Sequence, residues 1–406
     1  MRPTAAAGCD VIVRRARAWS SGAALDGVDA IAVKDGAIVA LGREADLLPL
    51  AGPATRVLDA AHATVTPGLT DAHLHLLAWA RGALELDVAG AGSAREVAER
   101  VRTFAAGHPD RGVIVGRGWD AHGWPDAPGR EVLDRAVNDR PVILHAHDFH
   151  TAWVNSRALA EAGIRRESAD PEGGRIERDG ANEPTGVLRE HAVRALQPVE
   201  ARAPKADGVA ALRHAARTLL ARGITAVHDF EGPESLRLLR ALATGDGPRL
   251  RVLAHLPQSS LDAACALGLE SGVGDDFFRI AGVKLFADGT LGSRTAAMLE
   301  PYEGGGTGME LIPHDALAAL VARAFAAGLS VAIHAIGDRA VRSALDAYQA
   351  AGAARARVAL PPRIEHVQLA HPADLARFRA LGVAASVQPA FVPSDAEAAR
   401  RWWGAR

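Results

Sequence analysis

Two histidines, His73 and His75, lie one residue apart in the segment "VTPGLTDAHLHLLAWA", residues 65–80. Side chains alternate faces along a β-strand, so both imidazoles face one side while Leu74 faces the other. Two imidazoles on one face can bind one metal ion. A pair of partly exposed loop histidines would show the same spacing, so the metal hypothesis depends on the rest of the chain.

Histidine or lysine also recurs at the ends of later apolar segments, at His228, His255, Lys284, His334 and His366. In a (β/α)₈ barrel the strand ends surround one axis and carry the reactive groups. Each residue taken alone is typical of a hydrogen-bonded core side chain. Together they predict a His-rich pocket.

The elements that would position these residues follow from a repeated pattern. From residue 207 onward an amphipathic helix, a glycine and a short apolar strand alternate, with Gly223, Gly328 and Gly382 placed to end helices. This alternation predicts parallel βαβ units. The predicted strands are the His-x-His strand and residues 224–229, 249–256, 280–286, 329–334, 363–368 and 383–387. The pattern therefore predicts an α/β fold, a TIM-type (β/α)₈ barrel with about seven of its strands present.

The remaining segments predict the domain organisation. Residues 1–66 hold short β-like runs and a hairpin signal at Asp35-Gly36, which is typical of a small β-sandwich-like appendage. Residues 67–78 would be barrel strand 1. Residues 79–205 read as an α/β insertion, in which Ser93 and Glu96 form a capping box for a helix. Residues 206–406 would be the rest of the barrel.

Composition excludes several classes of protein. The 46 Lys and Arg residues balance 48 Asp and Glu, the formal charge is -2, and no basic block is present, so nucleic acid is not an expected partner. Cys9 and Cys265 make neither a disulfide framework nor a thiolate zinc site. No apolar run has the length of a signal peptide core or a membrane span. We expect a cytoplasmic, soluble protein with a small-molecule substrate and no membrane partner; a homo-oligomer is compatible with this sequence.

Several motifs resemble the amidohydrolase superfamily, and within it the branch that contains N-substituted formamide deformylases (amidohydrolase family 3). The matching segments occur in family order: "TPGLTDAHLH", "GRGWD", "HTAWVNSRAL", "GGRIERD", "PTGVL", "GITAVHDF", "VKLFADGTLGSRTAAM", "IHAIGDRAV" and "RIEHVQLAHPADLARFRALGVAASVQPAF". The resemblance runs from about residue 10 to the last residue. It is specific for the family and weak for the substrate.

By position, the resemblance implies a metal site. His73 and His75 would be ligands from strand 1, and His334 and His366 ligands from strands 5 and 6. Lys284 matches the strand 4 position that holds a carboxylated lysine bridging two metals in many relatives. Catalytic roles would fall to Lys284 and His366.

Two readings of Lys284 remain open. A buried lysine in "IAGVKLF" favours the neutral amine, which is the form that reacts with carbon dioxide. Alternatively Lys284 pairs with a neighbour such as Asp288 and contacts no metal. Asp288 is also a candidate for a residue that binds substrate or supports the ligands.

Other polar residues have weaker assignments. In "LHAHDFHTAWVNS", the resemblance implies that His150 and Asn155 contact substrate, and exposed loop residues are the alternative. We expect His228 and His255 to be structural, hydrogen-bonded to backbone acceptors. Asp338 is expected to cap the helix after strand 5.

The chemistry implied is hydrolysis of a non-peptide C-N bond. Zinc with nitrogen and oxygen ligands lowers the pKa of bound water to about 7, which supplies hydroxide to attack an amide or formamide carbonyl. One or two divalent ions fit the implied ligand set, with iron or manganese as alternatives to zinc.

Relatives also have a strand 8 aspartate that takes the proton of that water, and this sequence has no counterpart. The segment "FVPSDAEAARRWWGAR" predicts a helix with a Ser394–Glu397 capping box and has no stop signal before Arg406. The sequence thus resembles a family member truncated before barrel strand 8. The alternatives to an active amidohydrolase are an inactive, truncated barrel and a deaminase of the same superfamily.

Overall fold

The computed structural model describes residues 8–20, 22–82, 85–121, 123–146, 151–171, 174–203, 208–292 and 294–406. The chain divides into two compact units, Met1–Thr70 and Asp71–Arg406. No helix among the described residues is long and apolar enough to cross a membrane.

The first unit consists of short strands around a small apolar core. Its elements are β1 (Cys9–Arg14), β2 (Arg17–Ser20), β3 (Ala23–Ala24), β4 (Ala30–Lys34), β5 (Ala37–Gly42), α1 (Glu44–Leu47), β6 (Ala51–Asp59) and β7 (Thr64–Val65). They form a four-stranded sheet in the order β5-β4-β1-β6 and a three-stranded sheet in the order β3-β2-β7. Asp35 and Gly36 join β4 to β5 with φ values of 51° and 75°. Two positive φ angles are typical of the two-residue hairpin turn that this dipeptide predicts.

The second unit begins its parallel sheet with β8 (Leu69–Leu74), followed by the short helix α2 (Leu76–Gly82). An α/β segment then precedes the rest of the sheet. Its elements are β9 (Leu86–Asp87), α3 (Ala94–Gly107), β10 (Ile114–Trp119), α4 (Arg130–Asp134), β11 (Val142–Ala146), β12 (Thr151–Val154), α5 (Ser156–Glu161), β13 (Gly174–Arg178), β14 (Pro184–Glu190) and α6 (Gln197–Glu200). The six strands form one sheet in the order β13-β14-β12-β11-β10-β9. Neighbours on β11 enter different apolar clusters, Leu144 one and Ile143 the other, so both sheet faces are covered.

The remaining elements alternate strand and helix. They are α7 (Gly208–Ala221), β15 (Ile224–Asp229), α8 (Pro233–Thr244), β16 (Arg251–Pro257), α9 (Leu261–Ala266), β17 (Phe278–Phe286), α10 (His314–Ala326), β18 (Ser330–Ala335), α11 (Asp338–Ala350), β19 (Arg363–His366), α12 (Pro372–Leu381), β20 (Ala384–Ser386) and α13 (Phe391–Trp402). The described sheet has seven strands in the order β20-β19-β18-β17-β16-β15-β8, which is chain order. The pairings from β15 to β20 are all parallel. This confirms the prediction of a TIM-type barrel with seven strands.

The predicted helix ends have mixed outcomes. Gly223, Gly328 and Gly382 all have positive φ and follow helices, as expected. The cap predicted at Asp338 is wrong by one position, because Gly337 is the N-cap and the Asp338 carboxylate accepts from the Leu299 N–H instead.

The capping box predicted at Ser394 and Glu397 is also wrong. Helix α13 begins at Phe391, three residues earlier, so Ser394 lies inside its first turn. There the Ser394 hydroxyl donates to the Phe391 carbonyl. A hydroxyl inside a helix commonly bonds to the preceding turn in this way.

Close pairing of β17 with β18 depends on a glycine. A Cβ added to Gly282 would lie 2.0 Å from the Ser330 carbonyl oxygen, and Gly282 and Ser330 are register partners. We expect Gly282→Ala to lower the free energy of unfolding by roughly 1–3 kcal/mol, because the two strands must separate. Urea denaturation measures this. Gly180→Ala is the control, since an added Cβ there meets nothing within 4 Å; an equal loss in both variants would contradict the prediction.

Candidate active site

The turn that carries the two N-terminal histidines is anchored by the next strand of the sheet. His73 lies in β8 and His75 follows it, immediately before α2. The Asp229 carboxylate accepts from the Leu76 N–H at 3.0 Å, and Glu231 accepts from the next two amides of α2 at 2.7 and 2.8 Å. These carboxylates accept hydrogen bonds from backbone N–H groups that the first turn of a helix leaves without a partner. Burial, followed by repulsion from Glu231, raises the pKa of Asp229 to about 7.

Imidazoles from three strands meet at the carboxyl ends of the sheet. The ring centroid of His366, at the end of β19, lies 4.7 Å from that of His73 and 4.7 Å from that of His334 on β18. The His75 ring centroid is 5.7 Å from that of His73. The structure therefore brings together the four histidines that the sequence predicts as metal ligands.

Burial keeps these imidazoles neutral. It lowers the pKa of His334 to about 4 and that of His366 to about 3, and it lowers the pKa of His73 and His75 as well. A neutral imidazole has a free nitrogen lone pair, which is the form that binds metals. The four histidines are thus in the correct protonation state for ligation at neutral pH.

The four histidine side chains do not form a closed coordination sphere. Among the residues that the structure describes, no group of three or more His, Cys, Asp or Glu side chains is arranged to hold a metal ion. Hydrogen bonds orient three of the rings instead: His73 through Nδ1 to Glu365, His366 through Nδ1 to Gln388, and His334 through Nε2 to the Gly289 carbonyl.

A buried ion pair lies directly behind His73. The Glu365 Oε2 atom is 2.6 Å from His73 Nδ1, and Oε1 accepts from Arg363 Nε at 2.5 Å. Burial alone would raise the pKa of Glu365, but the bonds from His73 and Arg363 hold it well below its usual range. The ionised carboxylate favours a proton on Nδ1 of His73. This leaves Nε2 as the lone pair for a ligand.

Arg363 also connects strands across the barrel. Its Nη1 contacts His228 Nδ1 at 2.5 Å, and its Nη2 donates to the Ala72 carbonyl at 2.6 Å and to the Ser386 hydroxyl at 2.7 Å. Ala72 is in β8 and Ser386 in β20, which are the two edge strands of the described sheet. One guanidinium therefore contacts both edges of the sheet.

Lys284 is buried without a hydrogen bond. It is 2% exposed, and its Nζ atom has no hydrogen-bond partner among the described residues. Its Nζ atom lies over the faces of Phe230 and Phe286, 4.7 and 5.0 Å from the ring centroids. Burial lowers the pKa of Lys284 to about 7. The predicted alternative, a pair with Asp288, is not what the structure shows.

Asp288 binds backbone amides instead of Lys284. It is 1% exposed, and its carboxylate accepts from the N–H groups of Ala297, Ile336 and Gly337. Its Oδ1 atom also lies 3.5 Å from Nε2 of His334, which is 3.0 Å from the Gly289 carbonyl. Burial raises the pKa of Asp288 to about 7. The side chain thus supports the segment after β18 rather than presenting an exposed substrate contact.

A left-handed turn directs His366 into the pocket. Along β19, Arg363 and Glu365 share the pocket face, whereas Ile364 packs in the core on the other side. Strict alternation would place His366 with Ile364. Instead His366 and Val367 have φ values of 76° and 45°, a region that β-branched residues rarely adopt. Such strain commonly occurs at functional sites.

Phe230 follows β15 and packs between histidines of the two strands that flank it, β8 and β16. Its ring stacks on His73 with centroids 4.3 Å apart and on His255 with centroids 4.2 Å apart. His255 is buried, and its Nδ1 has no hydrogen-bond partner among the described residues. His228 bonds to Arg363. For neither histidine do the described residues show the backbone acceptor that was expected.

Asn155, which was predicted to contact substrate from the insertion, is not part of this cluster. Asn155 is fully buried: its side-chain oxygen accepts from Val142 and Ala158, and its nitrogen donates to Val137 and Arg140. It caps α5, and no polar atom of its side chain is left for a substrate. His150 lies outside the described residues.

Sequence reasoning missed the residues that orient the histidines. No functional role was predicted for Arg363, Glu365 or Phe230. The signal for two of them was present, because the i, i+2 spacing of Arg363 and Glu365 in "RIEH" places opposite charges on one strand face. Phe230 gave no signal, since an aromatic residue after a strand is ordinary.

A TIM-type barrel with a His-rich pocket at its strand ends defines the class of protein, and sequence comparison identifies the family. The amidohydrolase family model matches residues 56–405, so the chain belongs to the amidohydrolase family. It is 30% identical to Protein LONG AFTER FAR-RED 3 of Arabidopsis thaliana over 100% of this chain and 72% of that protein. It is 28% identical to N-substituted formamide deformylase of Arthrobacter pascens over 92% of this chain and 72% of the enzyme.

A solved structure supports the same assignment. An uncharacterized metal-dependent hydrolase from Pyrococcus furiosus superimposes with a TM-score of 0.76 and 30% identity. The match covers 96% of this chain and 79% of that one. The similarity extends over nearly the whole chain, including the strands that carry the histidines.

We expect strong coupling between Arg363 and Glu365. Glu365→Gln leaves a buried guanidinium without its counter-charge and should lower the free energy of unfolding by about 3 kcal/mol. Adding Arg363→Met to it should cost less than the sum of the two single changes. Urea denaturation of the four proteins measures the coupling. If the losses in free energy of unfolding were additive, the prediction of coupling between the two side chains would be wrong.

The control for this cycle is an exposed pair. Arg279 and Asp276 are 2.9 Å apart, with side chains 47% and 80% exposed. Removing either charge there should change stability by at most about 1 kcal/mol.

The lowered pKa of Lys284 predicts that the stability of the protein depends on pH. Its pKa is about 7 in the folded protein against an ordinary 10.5, so the unfolded chain binds more protons between these values. The free energy of unfolding should therefore rise with pH from 7 to 10. Relative to Lys284→Met, the gain should be at least about 1 kcal/mol. Urea denaturation of metal-free protein in carbonate-free buffers tests this; parallel pH curves for the two proteins would refute it.

Proposed function

We propose that this protein is a metal-dependent amidohydrolase that cleaves a non-peptide C-N bond, an amide or formamide, in a small molecule. The observation that carries the proposal is the cluster of four neutral imidazoles with an unpaired lysine amine at the carboxyl ends of the barrel strands. The similarity to a formamide deformylase supports the bond type. The similarity to a metal-dependent hydrolase supports the cofactor class.

His73, His75, His334 and His366 would hold the metal, which we propose to be zinc. The donor set fits, because buried neutral imidazoles with free nitrogens are the preferred zinc ligands where thiolates are lacking. A divalent metal there would polarise the substrate carbonyl and make water acidic enough to ionise near neutral pH. Glu365 would keep His73 in the tautomer that presents Nε2, and Gln388 would restrain the His366 ring.

Lys284 would supply the negative charge that four neutral histidines lack. With a pKa of about 7, a large share of its amine is unprotonated near neutral pH, and the amine has no hydrogen-bond partner among the described residues. Attack of Nζ on carbon dioxide forms an N–C bond, and loss of a proton from nitrogen leaves a carbamate anion. The carbamate would replace an unpaired amine by a two-oxygen ligand. In this role Lys284 and His366 would lie beside the reacting bond.

Removal of the strand 1 histidines tests the proposal. We expect the double variant His73→Ala, His75→Ala to lower kcat/KM for N-ethylformamide by at least about 100-fold, because it loses the metal's several kcal/mol of transition-state stabilisation. His214→Ala, which alters an exposed histidine of α7, is the control. Equal activity of wild type and the double variant, both folded by circular dichroism, would refute the proposal.

Metal content distinguishes a site in which Lys284 is carboxylated from one in which it is unmodified. Elemental analysis of protein refolded with zinc and bicarbonate should give two ions per chain if Lys284 is carboxylated, falling to one in Lys284→Met. One ion in both proteins would leave Lys284 as an unmodified buried residue. A folded chain that binds no zinc, and whose melting temperature zinc does not raise, would contradict the metal site itself.

A further inference from the structure

His75 is oriented differently from the other three histidines of the cluster. The rings of His73, His334 and His366 each make a hydrogen bond that fixes their direction. No hydrogen bond joins the His75 ring to the described residues, and it meets the His73 ring edge to face, at a centroid distance of 5.7 Å and an interplanar angle of 72°. The direction of the His75 side chain therefore depends on its backbone.

His75 occupies the N-cap position of α2. It precedes Leu76, the first residue of the helix, and its carbonyl accepts from the Trp79 N–H at 2.9 Å. An N-cap side chain normally accepts from the second or third N–H of its helix, here that of Leu77 or Ala78. An imidazole that did so would use a nitrogen lone pair and turn towards the helix, away from a shared metal.

Another histidine of this chain shows that arrangement. His371 is the N-cap of α12, and its Nδ1 atom accepts from the Ala373 N–H, the second of that helix, at 3.2 Å. A histidine at this position can therefore cap its own helix. Something must prevent His75 from doing the same if its ring is to serve as a ligand.

Two carboxylates from the neighbouring strand take the place of the His75 ring. Asp229 ends β15, which lies next to β8 in the sheet, and it accepts from the first N–H of α2 at 3.0 Å. Glu231 accepts from the second and third through its two oxygens, at 2.7 and 2.8 Å. The Ser235 hydroxyl donates to Glu231 Oε2 at 2.9 Å and orients it. The amides that an N-cap side chain would use are thus already bonded.

We propose that Asp229 and Glu231 are positioning residues that cap α2 in place of His75 and so leave the His75 imidazole free to bind the metal. The inference rests on the proposed function and assigns the two carboxylates a role beyond holding the helix. When Glu231 is removed, the His75 ring turns to cap α2, as His371 caps α12, and its bond to the metal is lost.

The zinc affinity of the folded, metal-free chain tests this role without turnover. Competition with a chromophoric chelator should show that Glu231→Ala binds zinc at least about tenfold more weakly than wild type, because residues that orient a metal ligand commonly contribute this much. The matched control is Glu234→Ala, which removes a carboxylate bonded to Arg81 of the same helix at 2.7 and 3.2 Å. It should leave the zinc affinity unchanged. An equal loss in both variants would overturn the inference.

A double-mutant cycle separates an effect through His75 from a general structural effect. In a His75→Ala background, Glu231→Ala should change the zinc affinity by less than about twofold, since the ligand that it positions is gone. Equal losses with and without His75 would contradict the proposed role. Glu231→Gln keeps the shape of the side chain but has one acceptor oxygen, so it should weaken zinc binding by about fivefold. It replaces Glu231→Ala throughout if that variant does not fold.

A crystal structure of the metal-free Glu231 variant separates this inference from the proposed function. Nδ1 of His75 should lie within hydrogen-bond distance of the Leu77 or Ala78 nitrogen, whereas an unmoved ring would show the inference to be wrong. A folded wild type that binds no zinc would refute the proposed metal site. The direction of the His75 ring in the variant would then still decide whether the carboxylates position it.

Discussion

The pocket depends on the buried ion pair between Arg363 and Glu365. The two side chains are 12% and 0% exposed, so each has lost most of its hydration. Such a pair persists only where further hydrogen bonds use the remaining donors and acceptors. Here the guanidinium bonds to His228, Ala72 and Ser386 as well, and the carboxylate bonds to His73. The same pair therefore connects the sheet edges and orients the first histidine.

The charge balance around this pair leaves the pocket nearly neutral, with neutral imidazoles as the groups that could bind a cation. Arg363 and Glu365 compensate each other, and burial removes the charges of His73, His334 and His366. The low-dielectric pocket thus has strong donors and almost no net charge. In the proposed function, a divalent ion would bring uncompensated positive charge, which the carbamate of Lys284 would partly offset.

The sequence predicts those features that depend on periodicity and on local chemistry. The seven strands, the glycines that end helices, and the grouping of His73, His75, His334 and His366 all follow from patterns of that kind. The direction of His366 does not, because it needs a left-handed conformation at a residue that does not signal one. The proposed Lys284–Asp288 pair failed because three backbone amides compete for that carboxylate. Proximity in sequence carries no information about such competition.

The anchoring of the His-x-His turn has a consequence for the order of folding. The Leu76 N–H is hydrogen-bonded to Asp229, which lies 153 residues later in the sequence. His73 is hydrogen-bonded to Glu365, which lies 292 residues later. Contacts of such long separation require large loops to close and form slowly. During synthesis His73 and His75 therefore emerge long before the partners that orient them. Two histidines alone would hold a metal ion weakly in the nascent chain, and the proposed set of ligands is complete only once β19, which carries His366, is in place.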